Sequence, residues 1–126
     1  MALTQYQSIV ITGASRGIGR AIALELCKRR QPMLLVARDM NGLEETARQC
    51  RQLQNDAPEI RLRSCDLTDE AAVKTLIEEE KSFFEHIGML VNNAGYFDQT
   101  PVEEAAAAEF RAQFEVNAMS AIHITQ

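Results

Sequence analysis

Apolar residues gather into four short runs along the chain, and between the runs they recur at three- and four-residue spacing. Ser8-Ile9-Val10-Ile11 is β-branched and apolar, the pattern of a buried strand. Ile18, Ala21, Ile22 and Leu26 then share one face of a helix running from about Gly17 to Arg30, and Pro32 marks its break. Met33-Leu34-Leu35-Val36-Ala37 is apolar throughout, as strands covered on both faces are. Asn41 reads as the N-cap of a second helix with its stripe on Leu43, Ala47, Cys50 and Leu53/Gln54, ended by Asn55-Asp56-Ala57-Pro58. Ile60, Leu62 and Ser64 alternate with Arg61, Arg63 and Cys65, which predicts a strand nearer the sheet edge. Thr68 or Asp69 caps a third helix carrying Val73, Leu76, Ile77 and Phe83/Phe84, and Ile87-Gly88-Met89-Leu90-Val91 is the fourth strand. Asn92-Asn93-Ala94-Gly95 follows, then a loop from Tyr96 to about Ala105 and a last helix with Phe110, Phe114, Asn117, Ala118 and Ala121 on one stripe.

Strand followed by helix, repeated along the whole chain, predicts right-handed βαβ units and a parallel α/β sheet. A doubly wound sheet of this kind takes its ligand outside the carboxyl ends of the strands, where the winding reverses. With strand order 3-2-1-4 the reversal falls between the first and fourth strands. The turn after Ile11 and the Asn92–Gly95 segment then meet at one crevice, although they are far apart in sequence.

A length of 126 residues suits one domain, and 46% hydrophobic residues suffice for a packed core. The net charge of -5, with acidic and basic residues interspersed, argues against a nucleic-acid surface, so any anion must be bound by placed groups. No run of roughly 18 apolar residues predicts a membrane span, and Met1 to Gln7 lack the pattern of a secretory leader. Cys27, Cys50 and Cys65 are odd in number and widely spaced, which reads as reduced thiols of a cytoplasmic protein, two of them in the core. His86 and His123 have no ligand-like neighbours, so no metal site is expected.

Candidate chemistry centres on Thr12-Gly13-Ala14-Ser15-Arg16-Gly17-Ile18-Gly19, at the join of the first strand and first helix. The glycines permit a tight turn and a close approach of backbone to ligand. The helix N-terminus behind them points free N–H groups and the positive end of its dipole at an anion, of which a dinucleotide pyrophosphate fits best. An ordinary tight loop is the plainer alternative.

Thr-Gly-x-x-x-Gly-x-Gly, with Asn92-Asn93-Ala94-Gly95 after the fourth strand, resembles the short-chain dehydrogenase/reductase family. The resemblance implies a Rossmann-type doubly wound sheet of order 3-2-1-4, and hydride transfer between NAD(H) or NADP(H) and an alcohol or carbonyl substrate. It assigns Gly13, Ser15, Arg16, Gly17, Ile18 and Gly19 to the cofactor. Ala37 stands where NAD-preferring members carry an acid. Arg38 and Arg16 stand where basic residues clamp the 2′-phosphate of NADP(H), and a guanidinium fork suits a phosphate. The alternative is a solvated Arg38 with Asp39 taking the ribose of NAD(H). Asp66 is implied to accept from the adenine amino group and Leu67 to contact the ring through its backbone. On local grounds alone Asp66 is equally a helix cap. Asn93, Ala94 and Gly95 are implied to line the nicotinamide ribose, with one Asn side chain tying the central strands together. Asn117, in Val116-Asn117-Ala118-Met119-Ser120, matches the catalytic Asn that anchors a relay water, the alternative being a structural Asn bonded to helix backbone.

The family's chemistry also needs a Ser and a Tyr-x-x-x-Lys pair after that Asn. The tyrosines here are Tyr6 and Tyr96, with Val10 and Thr100 four positions on, and both precede Asn117. The expectation is therefore the amino-terminal, NADP(H)-binding half-domain of an oxidoreductase, inactive alone, over residues 1–126. A non-catalytic NADP(H) module and an interaction fragment are the alternatives. Gln126 falls inside a helical pattern with no stop signal, and the apolar fourth strand would be a sheet edge, which predicts self-association, as a homo-oligomer or an aggregate.

Overall fold

Ser8–Thr12 form strand β1, every residue of it buried. The computed structural model describes residues 7–54, 59–95, 107, 108 and 111. After β1 come helix α1 (Gly17–Leu26), β2 (Met33–Ala37), α2 (Met40–Leu53), β3 (Ile60–Ser64), α3 (Glu70–Glu79), α4 (Lys81–Glu85) and β4 (Ile87–Val91). The strands are parallel and lie in the order β3-β2-β1-β4. Ile9 stands beside Met33 on one side and Met89 on the other, and Leu35 stands beside Leu62.

Alternate strand residues point to opposite faces. Ile9, Ile11, Met33 and Leu35 pack with Ala23 of α1 and Leu43 and Cys50 of α2. Val10, Leu34 and Val36 pack on the other face with Val73 and Leu76 of α3 and Phe83 of α4. Covering both faces is what makes residues 9–11 of β1 and all of β2 apolar in succession rather than at every second position.

Several element ends differ from expectation. The first helix stops at Leu26 and tightens into a 3₁₀ turn over Cys27–Arg29. Arg30 then takes a left-handed φ of 59°, which ends the helix two residues before Pro32. The second helix begins at Met40 with Asp39 as its N-cap, so Asn41 lies inside the first turn; the Asp39 carbonyl accepts the first helical bond, from Leu43 N at 3.1 Å. Of the two candidate caps for the third helix it is Asp69, whose carboxylate accepts from Ala71 N at 3.0 Å and Ala72 N at 3.2 Å. The expected single helix through Phe84 is broken at Glu80 into α3 and α4. The third strand closes at Ser64, before Cys65. All three cysteines are buried, one more than expected. Residues 55–58 and the loop from Tyr96 to Ala105 lie outside the described residues, and so does Asn117; of the last helix Ala107, Ala108 and Arg111 are described, as helical.

Candidate functional site

The carboxyl ends of the four strands open on a cleft of about 420 Å³. Gly13 and Ser15 to Ile18 form one wall, Ala37 to Asp39 and Cys65 to Thr68 the next, and Asn93 to Gly95 the last. Thus Gly13, Ser15, Arg16, Gly17, Ile18, Arg38, Asp66, Leu67, Asn93, Ala94 and Gly95, drawn from four separate loops, share one cavity. Gly19 lies behind the turn. A Cβ there would fall 1.9 Å from the Gly13 carbonyl oxygen and 2.6 Å from Asn93 Nδ2, so its missing side chain lets α1 close against the turn.

The turn takes left-handed backbone at Gly13 (φ +65°) and Gly17 (φ +56°). A side chain at Gly13 would strike Ala94, 2.9 Å away, which shows how closely the two loops touch. Thr12 joins them. Its buried hydroxyl accepts from Asn93 N at 2.9 Å and Ala94 N at 3.0 Å and donates to the Val91 carbonyl at 3.3 Å. Asn93 answers by donating Nδ2–H to the Gly13 carbonyl at 3.3 Å, tying the loops of the two central strands together as expected of one Asn in that segment. Ile18, at 74% exposure, presents its side chain at the cleft's lip beside the amino end of α1.

On the far wall Ser64 Oγ donates to the Arg38 carbonyl at 2.9 Å and holds the end of β2 against β3. Arg38 and Arg16 are both exposed in the lining, and Asp39 lies beside them. Asp66 accepts from Thr68 Oγ1 at 2.7 Å and Thr68 N at 3.0 Å, both on Oδ1. These bonds, the hydroxyl first, hold its carboxyl below the usual carboxylate range, and the Arg38 charge adds to the effect. Asp66 therefore closes a tight turn of its own, and helix capping is done by Asp69. Burial pushes the Cys65 thiol up, and the Asp66 charge pushes it further.

Sequence reasoning passed over Thr12 as a bridge and missed three residues behind the turn: Arg20, Gly42 and Thr46. Thr46 is fully buried on the apolar stripe of α2, beside Ala47 and between Leu43 and Cys50. A polar residue at a core position needs a partner, and that was the available signal. Its hydroxyl lies 2.7 Å from the Ala14 carbonyl. Among the described residues no cluster of His, Cys, Asp and Glu could hold a metal ion, and no helix is long and apolar enough to cross a membrane.

A parallel sheet with a glycine turn and a cationic rim at its switch point is a dinucleotide-binding architecture. The family model described as short chain dehydrogenase matches residues 7–126, and the chain belongs to that family. It is 32% identical over 111 residues to 17-beta-hydroxysteroid dehydrogenase 13 of Mus musculus, covering 88% of this chain and 36% of that protein. With 11-beta-hydroxysteroid dehydrogenase A of Sesamum indicum it shares 29% over 119 residues, 94% of this chain and 34% of the relative. Among solved structures, NAD+-bound xylitol dehydrogenase superposes with TM-score 0.85 at 29% identity, over 96% of this chain and 46% of that one. L-sorbose reductase from Gluconobacter frateurii, complexed with NADPH and L-sorbose, gives 0.83 at 30%, over 99% and 47%. The chain thus spans about a third of these curated relatives and just under half of these solved chains.

Proposed function

We propose that the cleft binds NADP(H) and that the chain is the cofactor-binding part of an oxidoreductase moving hydride between the nicotinamide and an alcohol or carbonyl. The observation that carries this reading is the lining itself: a glycine turn at a helix N-terminus shares one cavity with Arg16 and Arg38, while the strand-end position that would hold an acid is Ala37. The turn fits a pyrophosphate, because left-handed glycines and the amino end of α1 offer N–H donors and a positive dipole. Arg38 and Arg16 would then take the 2′-phosphate as charged forks. Asp66, ionised and with Oδ1 held by Thr68, would accept from the adenine amino group, Leu67 would meet the ring through its backbone, and Asn93, Ala94 and Gly95 would flank the nicotinamide ribose. Asn117 is the proposed anchor of a relay water. The cofactor supplies or accepts the hydride, and the proton is left to protein groups. Residues 1–126 carry no Tyr-x-x-x-Lys to move it, so the cofactor half of the reaction is the part assigned to this chain.

One observation favours a second reading. Asp39 lies in the same lining and could take an unphosphorylated ribose, which would make the cofactor NAD(H). Titration of NADPH and NADH into the wild type and Arg38→Ala separates the two. NADPH is expected to bind more tightly, and the variant to lose about tenfold or more for NADPH alone, the range of a hydrogen bond to a charged group. Equal affinities of the wild type for both nucleotides would overturn the NADP(H) assignment.

A further inference from the structure

Three residues that do not line the cleft grip the glycine turn from behind. Arg20 Nη2 donates to the Ser15 carbonyl at 2.6 Å and lies 3.3 Å from the Gly42 carbonyl, while its Nε donates to Thr46 Oγ1 at 3.0 Å. Thr46 Oγ1 lies 2.7 Å from the Ala14 carbonyl and 3.1 Å from that of Gly42. A hydroxyl has one proton to give. With Arg20 donating into the oxygen, the Thr46 proton goes to the shorter contact, Ala14. Gly42 makes the approach possible, because a Cβ there would lie 2.7 Å from the Ser15 carbonyl oxygen and 2.8 Å from Ser15 Cβ.

In a trans peptide the carbonyl of one residue and the N–H of the next point in opposite directions. Holding the Ala14 and Ser15 carbonyls against α2 therefore turns the N–H groups of Ser15 and Arg16 the other way, toward the cleft that both residues line. The same contacts tie Ser15, next to Arg16, to Gly42, four positions past Arg38. We propose that Arg20 and Thr46 are positioning residues, a clamp that aims the backbone donors of the turn at the pyrophosphate of the bound dinucleotide. This rests on the dinucleotide reading of the cleft and adds a role for residues that touch no ligand. A guanidinium fixed on carbonyls and a hydroxyl suits the task, since Arg offers a planar, pre-organised fork of donors.

The test compares Thr46→Val, which keeps the shape and loses the hydroxyl, with Thr46→Ser, which keeps the hydroxyl. The probes are NADPH and ADP-ribose, the second carrying the pyrophosphate without a 2′-phosphate, titrated into the purified chain. Thr46→Val is expected to bind both probes about five- to tenfold more weakly, the worth of the Thr46-to-Ala14 bond that holds the turn, with Thr46→Ser close to wild type. Wild-type affinity in Thr46→Val, or equal losses in the Val and Ser variants, would overturn the clamp while leaving the dinucleotide reading intact. A wild type that binds neither probe would overturn that reading and the clamp with it. Arg20→Gln, at a half-exposed position, gives the same discrimination if Thr46→Val does not fold: weaker binding of both probes supports the clamp, and unchanged binding refutes it.

Discussion

Asp66 and Thr68 show what a single side chain decides at this site. Two donors from Thr68 converge on Asp66 Oδ1, and the ionised form is the one they stabilise. The folded carboxyl therefore titrates below its ordinary value of 3.8. A depressed acid contributes stability that is present above the unfolded pKa and lost as pH falls through the folded one. The turn from Asp66 to Thr68 should thus survive at pH 4 and open only below about 3.8. Carboxyl-carbon NMR titration reads this directly, and Thr68→Val should move the Asp66 midpoint up toward 3.8. An unchanged midpoint in that variant would show that the Thr68 hydroxyl is not the cause, since the backbone N–H remains. At this scale the residues that face the cleft were legible, because glycine, arginine and Asn-Asn-Ala-Gly carry their chemistry in their type and place. Thr12 and Thr46 were not. A buried hydroxyl acts through partners as far as 82 positions away, and only the folded backbone brings those together.

Among elements, the strands were easier to read than the helix ends. A parallel strand covered on both faces carries apolar residues in succession, so residues 9–11 of β1 and the whole of β2 announce themselves. Helix ends are set by choices of comparable energy. Asp39 and Asn41 are both of good cap type, and α2 takes Asp39, whose carbonyl accepts the first helical bond. The α1–α2 contact buries Cys27 and Cys50. Burial, and then the neighbouring Cys27, push the Cys50 thiol up to about 12. Cys65 sits apart, on the cleft wall, with a raised pKa and 8% exposure. Raised values favour the protonated thiol at both positions, which slows their reaction. With an aromatic disulfide reagent, Cys27 and Cys50 are expected to react only after denaturation. Cys65 should react slowly in the native chain and more slowly still with NADPH present. Rapid native modification of Cys50 would contradict the packing of α1 on α2.

For the molecule as a whole, alternating strands and helices made a parallel sheet with right-handed crossovers legible, while the order β3-β2-β1-β4 came from the family resemblance, since winding rules allow other doubly wound orders. What the rules could not supply is how the outer strand β3 is secured. Its residues are only partly covered, in the pattern of an edge. Glu80, at the break between α3 and α4, is 2% exposed and faces two arginines of that strand. Its Oε1 accepts from Arg61 Nη2 at 3.2 Å and from Arg63 Nη1 at 3.1 Å. Oε2 lies 3.1 Å from Arg61 Nη2, close enough for attraction but without hydrogen-bond alignment. Arg61 also stands over the Phe83 ring at 5.6 Å, so one carboxylate draws the strand, the break and α4 together. Removing one partner of a buried pair costs about 3–5 kcal/mol, because the other charge stays behind unpaired. Here the arginine side chains are 42% and 25% exposed and can turn to water, so Glu80→Gln should cost less, about 2 kcal/mol, read as a lower urea midpoint. Glu80 is not part of the cleft lining, and NADPH affinity measured well below the transition should stay at the wild-type value. A variant that melts like the wild type would mean that the apolar contacts of β3 hold the edge unaided. One that loses affinity without losing stability would place Glu80 in the site after all.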